Sequence, residues 1–317
     1  MTSIVFMGTP AFAANILEGL IEETEYTIKA VVTQPDRKVG RKHILTPTPV
    51  KKVAVEHEIE VLQPEKISGS PEADQIIALN PDLIITAAFG QFIPMKVINA
   101  AKIGAINVHG SLLPKYRGGA PIQYAIMNGD QETGVSIIYM VKKMDAGDII
   151  TQASMPITNS DDAGTIFEKM SDLGRKTLLE ILPDLIAGKT TATKQNEAQV
   201  VFSPTIKPEE EQLTLEQTAH QLDWKIRALR PAPGAYFKDF NGKRTKLWNI
   251  DVLNETTTQS AGTVVECGKH VLKVAAANGT VYQINRLQPA GKPQMEITAY
   301  LNGVGQGIKA GQKLINE

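Results

Sequence analysis

Residues 3–7 form a short apolar run that stops at Gly8-Thr9-Pro10, and an apolar helical spacing through Phe12, Ile16, Leu17 and Leu20 follows at once. A second strand-like run occupies residues 28–33. Two strands separated by one helix form a βαβ unit, whose strands pair in parallel through a right-handed crossover. This unit commits the first half of the chain to an open α/β sheet. Thr9 is the expected N-cap of the helix, with Pro10 at its first position. The same alternation continues, with strands expected at 59–62, 83–88, 104–109, 135–140 and 149–150, and helices at 51–57, 72–79 and 122–127. Only one glycine lies in the first turn, where a dinucleotide-binding loop needs G-x-G-x-x-G, and Pro10 and Phe12 crowd the approach. NAD is therefore not expected.

At 317 residues the chain suits two domains of unequal size. An amphipathic helix with Ile166, Met170, Leu173, Leu178, Ile181, Leu182 and Leu185 on one stripe ends at Gly188. Residues 190–208 lack periodicity and are rich in Thr, Gln, Asn and Pro, as a linker would be. After a helix at 214–229 the texture changes to short strand-like runs at 235–240, 245–252, 262–266, 271–275 and 281–287. The reading is a Rossmann-like, mostly parallel sheet domain over 1–189, a linker over 190–208 and a smaller OB-like β-barrel over 209–317. Lys and Arg number 33 against 34 Asp and Glu, so no strong field advertises nucleic acid or a membrane. The last third is mildly basic and the rest mildly acidic, which suits an acidic partner on the C-terminal part. The single cysteine, Cys267, excludes an internal disulfide and suits a reducing cytosol. The chain has no signal-peptide pattern at its start and no apolar run of about 18 residues, so a cytoplasmic, soluble protein is expected. With no HExxH and no paired cysteines, no metal is expected.

The chemistry concentrates in residues 104–121. Strand alternation puts Ile106 and Val108 on one side and Asn107 and His109 on the other, at a carboxyl end where open α/β sheets bind ligands. Asp145, in the turn Asp145-Ala146-Gly147-Asp148, is the available carboxylate partner. An amide, an imidazole and a carboxylate make a coherent set for attack on a carbonyl: two groups hold the oxyanion and the third orients and moves protons. Ser111 lacks a G-x-S-x-G elbow and Cys267 sits in the β-rich part, so no covalent nucleophile is indicated. The other histidines, His43, His57, His220 and His270, read as structural or solvated. Residues 34–49, with Arg37, Arg41 and Lys42, read as a long, basic, exposed loop without periodicity.

The stretch Asn107-Val108-His109-Gly110-Ser111-Leu112-Leu113-Pro114, continued by Lys115-Tyr116-Arg117-Gly118-Gly119-Ala120-Pro121, and the later Met144-Asp145-Ala146-Gly147-Asp148 resemble the formyltransferases that use 10-formyltetrahydrofolate. Met7-Gly8-Thr9-Pro10, Thr33-Gln34-Pro35-Asp36-Arg37 and the β-rich C-terminal part resemble the branch that formylates methionine carried by initiator tRNA. The resemblance implies that Asn107 and His109 polarise the formyl carbonyl while Asp145 tunes the histidine and assists proton transfer. It implies a folate site along Ser111, Leu112, Leu113 and Pro114, with Phe89 and Gly90 near the pterin. Arg37, Arg41 and Lys42 would meet the tRNA acceptor stem, and Lys243 and Arg244, beside Lys238 and Lys246, would meet phosphates. The expected partners are folate and methionyl-initiator tRNA, with no membrane and the protein as a monomer. Rival readings are an amino-sugar-nucleotide formyltransferase sharing the Asn-His-Asp set, and a non-enzymatic RNA-binding protein with a folate-like cleft.

Overall fold

In chain order the first elements are β1 (Thr2–Gly8), α1 (Ala11–Glu22), β2 (Tyr26–Val32), β3 (Arg37–Val39), β4 (Ile44–Thr46), α2 (Pro49–Glu56), β5 (Val61–Leu62), α3 (Pro71–Ala78) and β6 (Leu83–Ala87). There follow α4 (Met95–Ile98), β7 (Gly104–His109), α5 (Pro121–Met127), β8 (Glu132–Tyr139), β9 (Ile149–Pro156) and α6 (Ala163–Ile186). This computed structural model describes residues 1–40, 42–239 and 242–316. The chain divides into two compact units, the first made of Met1–Pro121, Glu132–Pro156 and Ile166–Pro204 and the second of Ile122–Gln131, Ile157–Thr165 and the chain from Thr205 onward.

In the first unit one sheet has the order β5-β2-β1-β6-β7-β8-β9. Strands β5, β2, β1, β6 and β7 run parallel, and β8 is antiparallel to both its neighbours. Ile4 to Met7 of β1 are fully buried, and so is every residue of β6 except Thr86, which is nearly so; such continuous apolar runs mark strands covered on both faces. Strand order reverses between β1 and β6, which places the ligand crevice at their carboxyl ends. The mostly parallel Rossmann-like sheet is thus present, with an antiparallel edge.

Two local expectations are corrected. Thr9 does not cap α1: the N-cap is Pro10 without a side-chain bond, and the Thr9 hydroxyl instead donates to the Phe89 carbonyl at 2.9 Å. A proline at the N-cap leaves the hydroxyl one residue too early, and it crosses the β1–β6 gap. Residues 34–49 are not structureless: β3 and β4 pair Arg37 with Thr46, Lys38 with Leu45 and Val39 with Ile44. Val39, Ile44 and Leu45 are 56, 60 and 62% exposed, so no burial imposes an alternating pattern on this ribbon.

The second unit adds α7 (Ala219–Ala228), β10 (Tyr236–Asp239), β11 (Arg244–Thr256), β12 (Val264–Cys267), β13 (Leu272–Ala275), β14 (Thr280–Pro289), β15 (Met295–Glu296), α8 (Ile297–Leu301) and β16 (Ile315–Asn316). One antiparallel sheet has the order β12-β13-β14-β11-β10-β16, with β15 on β14. Three register shifts along the β11–β14 ladder are the bulges that bend long strands into a half-barrel. Leu222, Ile226 and Leu229 fill its core with Phe237, Leu247, Ile250, Tyr282 and Ile284. The helix expected from residue 214 starts five residues later, because Thr218 and Gln221 form a capping box that fixes the first turn.

Candidate active site

The site grows from the middle of β7. Val108 turns towards α1 and α6, where a Cβ at Gly174 would stand 3.3 Å from its Cγ1, and alternation sends Asn107 and His109 to the opposite face. Thr86 lies beside Asn107 in the β6–β7 register and its hydroxyl donates to Asn107 Oδ1 at 2.7 Å. That bond occupies the amide oxygen and turns the Nδ2 hydrogens outward as donors.

His109 is 6% exposed, and its Nε2 lies 2.9 Å from the Tyr116 carbonyl oxygen. A carbonyl only accepts, so Nε2 carries a hydrogen and Nδ1 is the nitrogen that faces the site. Asp145 Oδ1 stands 3.7 Å from that Nδ1 and 3.4 Å from Asn107 Nδ2. Its other oxygen accepts from the Gly118 amide at 3.0 Å.

Topology explains how Asp145 arrives there. Strand β8 runs antiparallel to β7 and ends with Tyr139 opposite Ile106, and the connection to β9 returns far enough for Asp145 to meet Asn107 and His109. Asp145 has φ 50°, and a side chain at Gly147 would put its Cβ 1.7 Å from the Tyr139 carbonyl oxygen. The turn therefore needs both a residue tolerant of left-handed backbone and a glycine after it. Amide, imidazole and carboxylate converge at separations longer than good hydrogen bonds, which leaves their capacity for a substrate.

Of the residues expected at the folate site, Ser111 to Pro114 follow β7 directly and Phe89 and Gly90 follow β6. The Ser111 hydroxyl donates to the Lys115 carbonyl at 2.7 Å, and Leu113 is 3% exposed. Ser136 on β8 pins the turn, donating to the Ser111 carbonyl at 2.6 Å and accepting from the Leu113 amide at 3.0 Å, and Gln152 on β9 donates to the Leu113 carbonyl at 3.0 Å. Leu112 and Pro114 stay half-exposed, and the Leu113–Pro114 peptide is cis. The Phe89 ring is buried in the core with Val5, Met7 and Val32, while its carbonyl accepts from Thr9 and Gln34. Gly90, at φ 87°, follows at the crevice.

Of the residues expected to meet tRNA, Arg37 sits on β3 and pairs with Glu65 at 2.7 Å, Lys42 is exposed in the β3–β4 connection, and Arg41 lies outside the described residues. In the second unit Lys243 is exposed, and the Arg244 guanidinium lies 4.4 Å from the centre of the Tyr236 ring. Among the described residues no group of His, Cys, Asp or Glu could hold a metal ion, and no helix is long and apolar enough to cross a membrane.

Three contributors escape a reading of the sequence. Thr86 leaves a trace, as the polar member of Leu83-Ile84-Ile85-Thr86-Ala87. Arg117 stands within the quoted Lys115-Tyr116-Arg117-Gly118 run without a role of its own, and Gln195 leaves no trace. Gln195 Nε2 donates at 2.8 Å to the carbonyls of both Asp145 and Gly147, from a stretch whose composition reads as a connection.

Residues 1–182 match the formyl transferase family and residues 205–305 match the formyl transferase C-terminal domain. The chain belongs to the formyl transferase family. Within it, the chain is 66% identical over 317 residues to the methionyl-tRNA formyltransferase of Ligilactobacillus salivarius, covering all of this chain and 99% of that one. It is 61% identical to the methionyl-tRNA formyltransferase of Lactiplantibacillus plantarum over the whole of both chains. Among solved structures, the sugar 3N-formyl transferase WlaRD, determined with dTDP and 5-N-formyl-THF, shares the fold at a TM-score of 0.67 and 19% identity, covering 92% of this chain and 99% of that one.

Proposed function

We propose that this protein transfers the formyl group of 10-formyltetrahydrofolate to the α-amine of methionyl-initiator tRNA, for translation initiation. The observation that carries the chemistry is the convergence of Asn107 Nδ2, His109 Nδ1 and the Asp145 carboxylate on one face of β7. The full-length identity to methionyl-tRNA formyltransferases carries the acceptor. The amine attacks the formyl carbon and forms the new C–N bond, and the Asn107 amide donates to the developing oxyanion beside His109. Asp145 receives the proton that the amine loses and returns it to the departing folate nitrogen as the old C–N bond breaks. An α-amine near its ordinary pKa of about 7.7 to 8.0 is already partly unprotonated at neutrality, so no covalent nucleophile is required.

The fit of the donor rests on the half-exposed Leu112 and Pro114 and on the exposed Gly90, which offer the apolar side chains and main-chain edges that a flat heterocycle uses. The catalysis is assigned to residues 1–189 and tRNA contacts to the barrel over 209–317, with Arg37, Arg41 and Lys42 as separate tRNA contacts; of the residues between, those up to Pro204 pack within the first compact unit. The protein works in the cytoplasm as a monomer.

The test is formyl transfer to methionine-charged initiator tRNA, to free methionine and to an amino sugar nucleotide, with His109→Ala as control. Transfer to the charged tRNA alone, abolished in the control, is expected; transfer to the sugar would overturn the acceptor. Asn107→Ala is expected to lower the single-turnover rate about 10²- to 10³-fold, the usual cost of one oxyanion donor. An unchanged rate at saturating substrates would remove Asn107 from this role.

A further inference from the structure

We infer that Gln195 is a positioning residue for Asp145 and that Arg117 holds it in that role, an inference that rests on the function proposed above. Every hydrogen-bonding function of the Gln195 amide is used. Its Nε2 donates at 2.8 Å to the Asp145 and Gly147 carbonyls, and its Oε1 accepts from Arg117 Nε at 3.0 Å and Nη2 at 2.8 Å.

Arg117 is 1% exposed and is anchored in its own right. Its Nη2 also pairs with Glu197 Oε1 at 2.8 Å, and Lys143 holds the other Glu197 oxygen at the same distance. The Arg117 amide donates to the Val201 carbonyl at 2.9 Å, and the Arg117 carbonyl accepts from the Ser203 amide at 2.8 Å. The next residue, Gly118, donates to Asp145 Oδ2. The carboxylate is thus held from Gly118 and the main chain beneath it from Gln195, the first anchored through the Arg117 main chain and the second through its guanidinium.

Two physical arguments favour positioning over mere stability. A non-glycine residue at φ 50° persists where its surroundings over-determine it, and the Asp145–Gly147 turn is such a case. A buried arginine is poor value as a stabiliser, since desolvation offsets much of what its pairs contribute. Fixing a carboxylate to within a fraction of an ångström is a different benefit, because a misplacement of about 1 Å can cost about 10²-fold in rate.

Gln195→Glu is the sharp test. It keeps the shape and an acceptor for Arg117, but it turns an acceptor towards the carbonyls of Asp145 and Gly147. The single-turnover transfer rate is expected to fall about tenfold or more, with folate affinity, KM for the charged tRNA and the thermal midpoint close to the parent. Hydrogen exchange over residues 140–148 is expected to quicken at least about fivefold. Gln195→Ala gives the same pair of changes if the glutamate variant folds poorly. Exchange at the parent rate, or transfer within about twofold of an active parent, overturns the inference. A parent that formylates no charged tRNA sinks the proposed acceptor instead, and hydrogen exchange still decides the role of Gln195.

Discussion

In the role proposed for it, Asn107 needs its amide the right way round, and a single hydroxyl fixes this. Thr86 donates to Asn107 Oδ1 at 2.7 Å, a bond worth roughly 1 kcal/mol in stability but decisive for orientation. Thr86→Val keeps the shape of this side chain and removes the donor. Its kcat is expected to fall about tenfold with KM for both substrates nearly unchanged, since a transition-state donor is lost part of the time; steady-state kinetics checks this, and a parent-like kcat would show that Asn107 orients itself. The Asn107 and His109 pair was legible from strand alternation alone. What the spacing left open was which imidazole nitrogen faces the site, and the Tyr116 carbonyl 2.9 Å from Nε2 leaves Nδ1 to do so. Glu197 shows the limit of reading residues singly: in sequence it is one more exposed acid, yet Arg117 and Lys143 hold its carboxyl down at about 2.

At the level of elements, the parallel core was readable because buried strands are continuous apolar runs, and each expected strand from residue 3 to residue 109 has its counterpart. The β3–β4 ribbon was not readable, because both its faces are wet. The placement of Asp145 was not readable either, since nothing local announces that β8 runs antiparallel. Strands β1 and β6 are also tied at their entrances: Asp82 accepts from the Ser3 amide at 2.8 Å, from the Ser3 hydroxyl at 2.7 Å and from Lys102 at 3.1 Å. These bonds, the Ser3 amide foremost, hold the Asp82 carboxyl down at about 2. The folded value lies below the unfolded one of about 3.9, so the contribution is complete above about pH 4 and is lost as pH falls through about 2. The difference in thermal midpoint between the parent and Asp82→Asn is therefore expected to shrink from pH 4 to pH 2. A constant difference across that window would remove Asp82 from the acid sensitivity.

For the molecule as a whole, a net charge of -1 hides an uneven spread of charge along the chain. In the second unit Lys243 and Arg244 stand exposed at the start of β11, the latter over Tyr236. Lys243→Ala combined with Arg244→Ala is expected to weaken tRNA binding and lower the slope of log affinity against log salt by about 1 to 2, as for one or two lost phosphate contacts. Titrations at several salt concentrations read this directly, and an unaltered slope would clear that surface of phosphate contact. The way β7 and the β8–β9 connection share the site also sets how its length can vary in descent. One residue inserted between Asn107 and His109 would throw one of them to the far side of the sheet and end the chemistry outright. The connection that carries Asp145 is a span tied down at a few points, so residues gained or lost before Met144 could be absorbed as slack. Gaps in that span, and none within the strand, are the scar pattern this architecture permits.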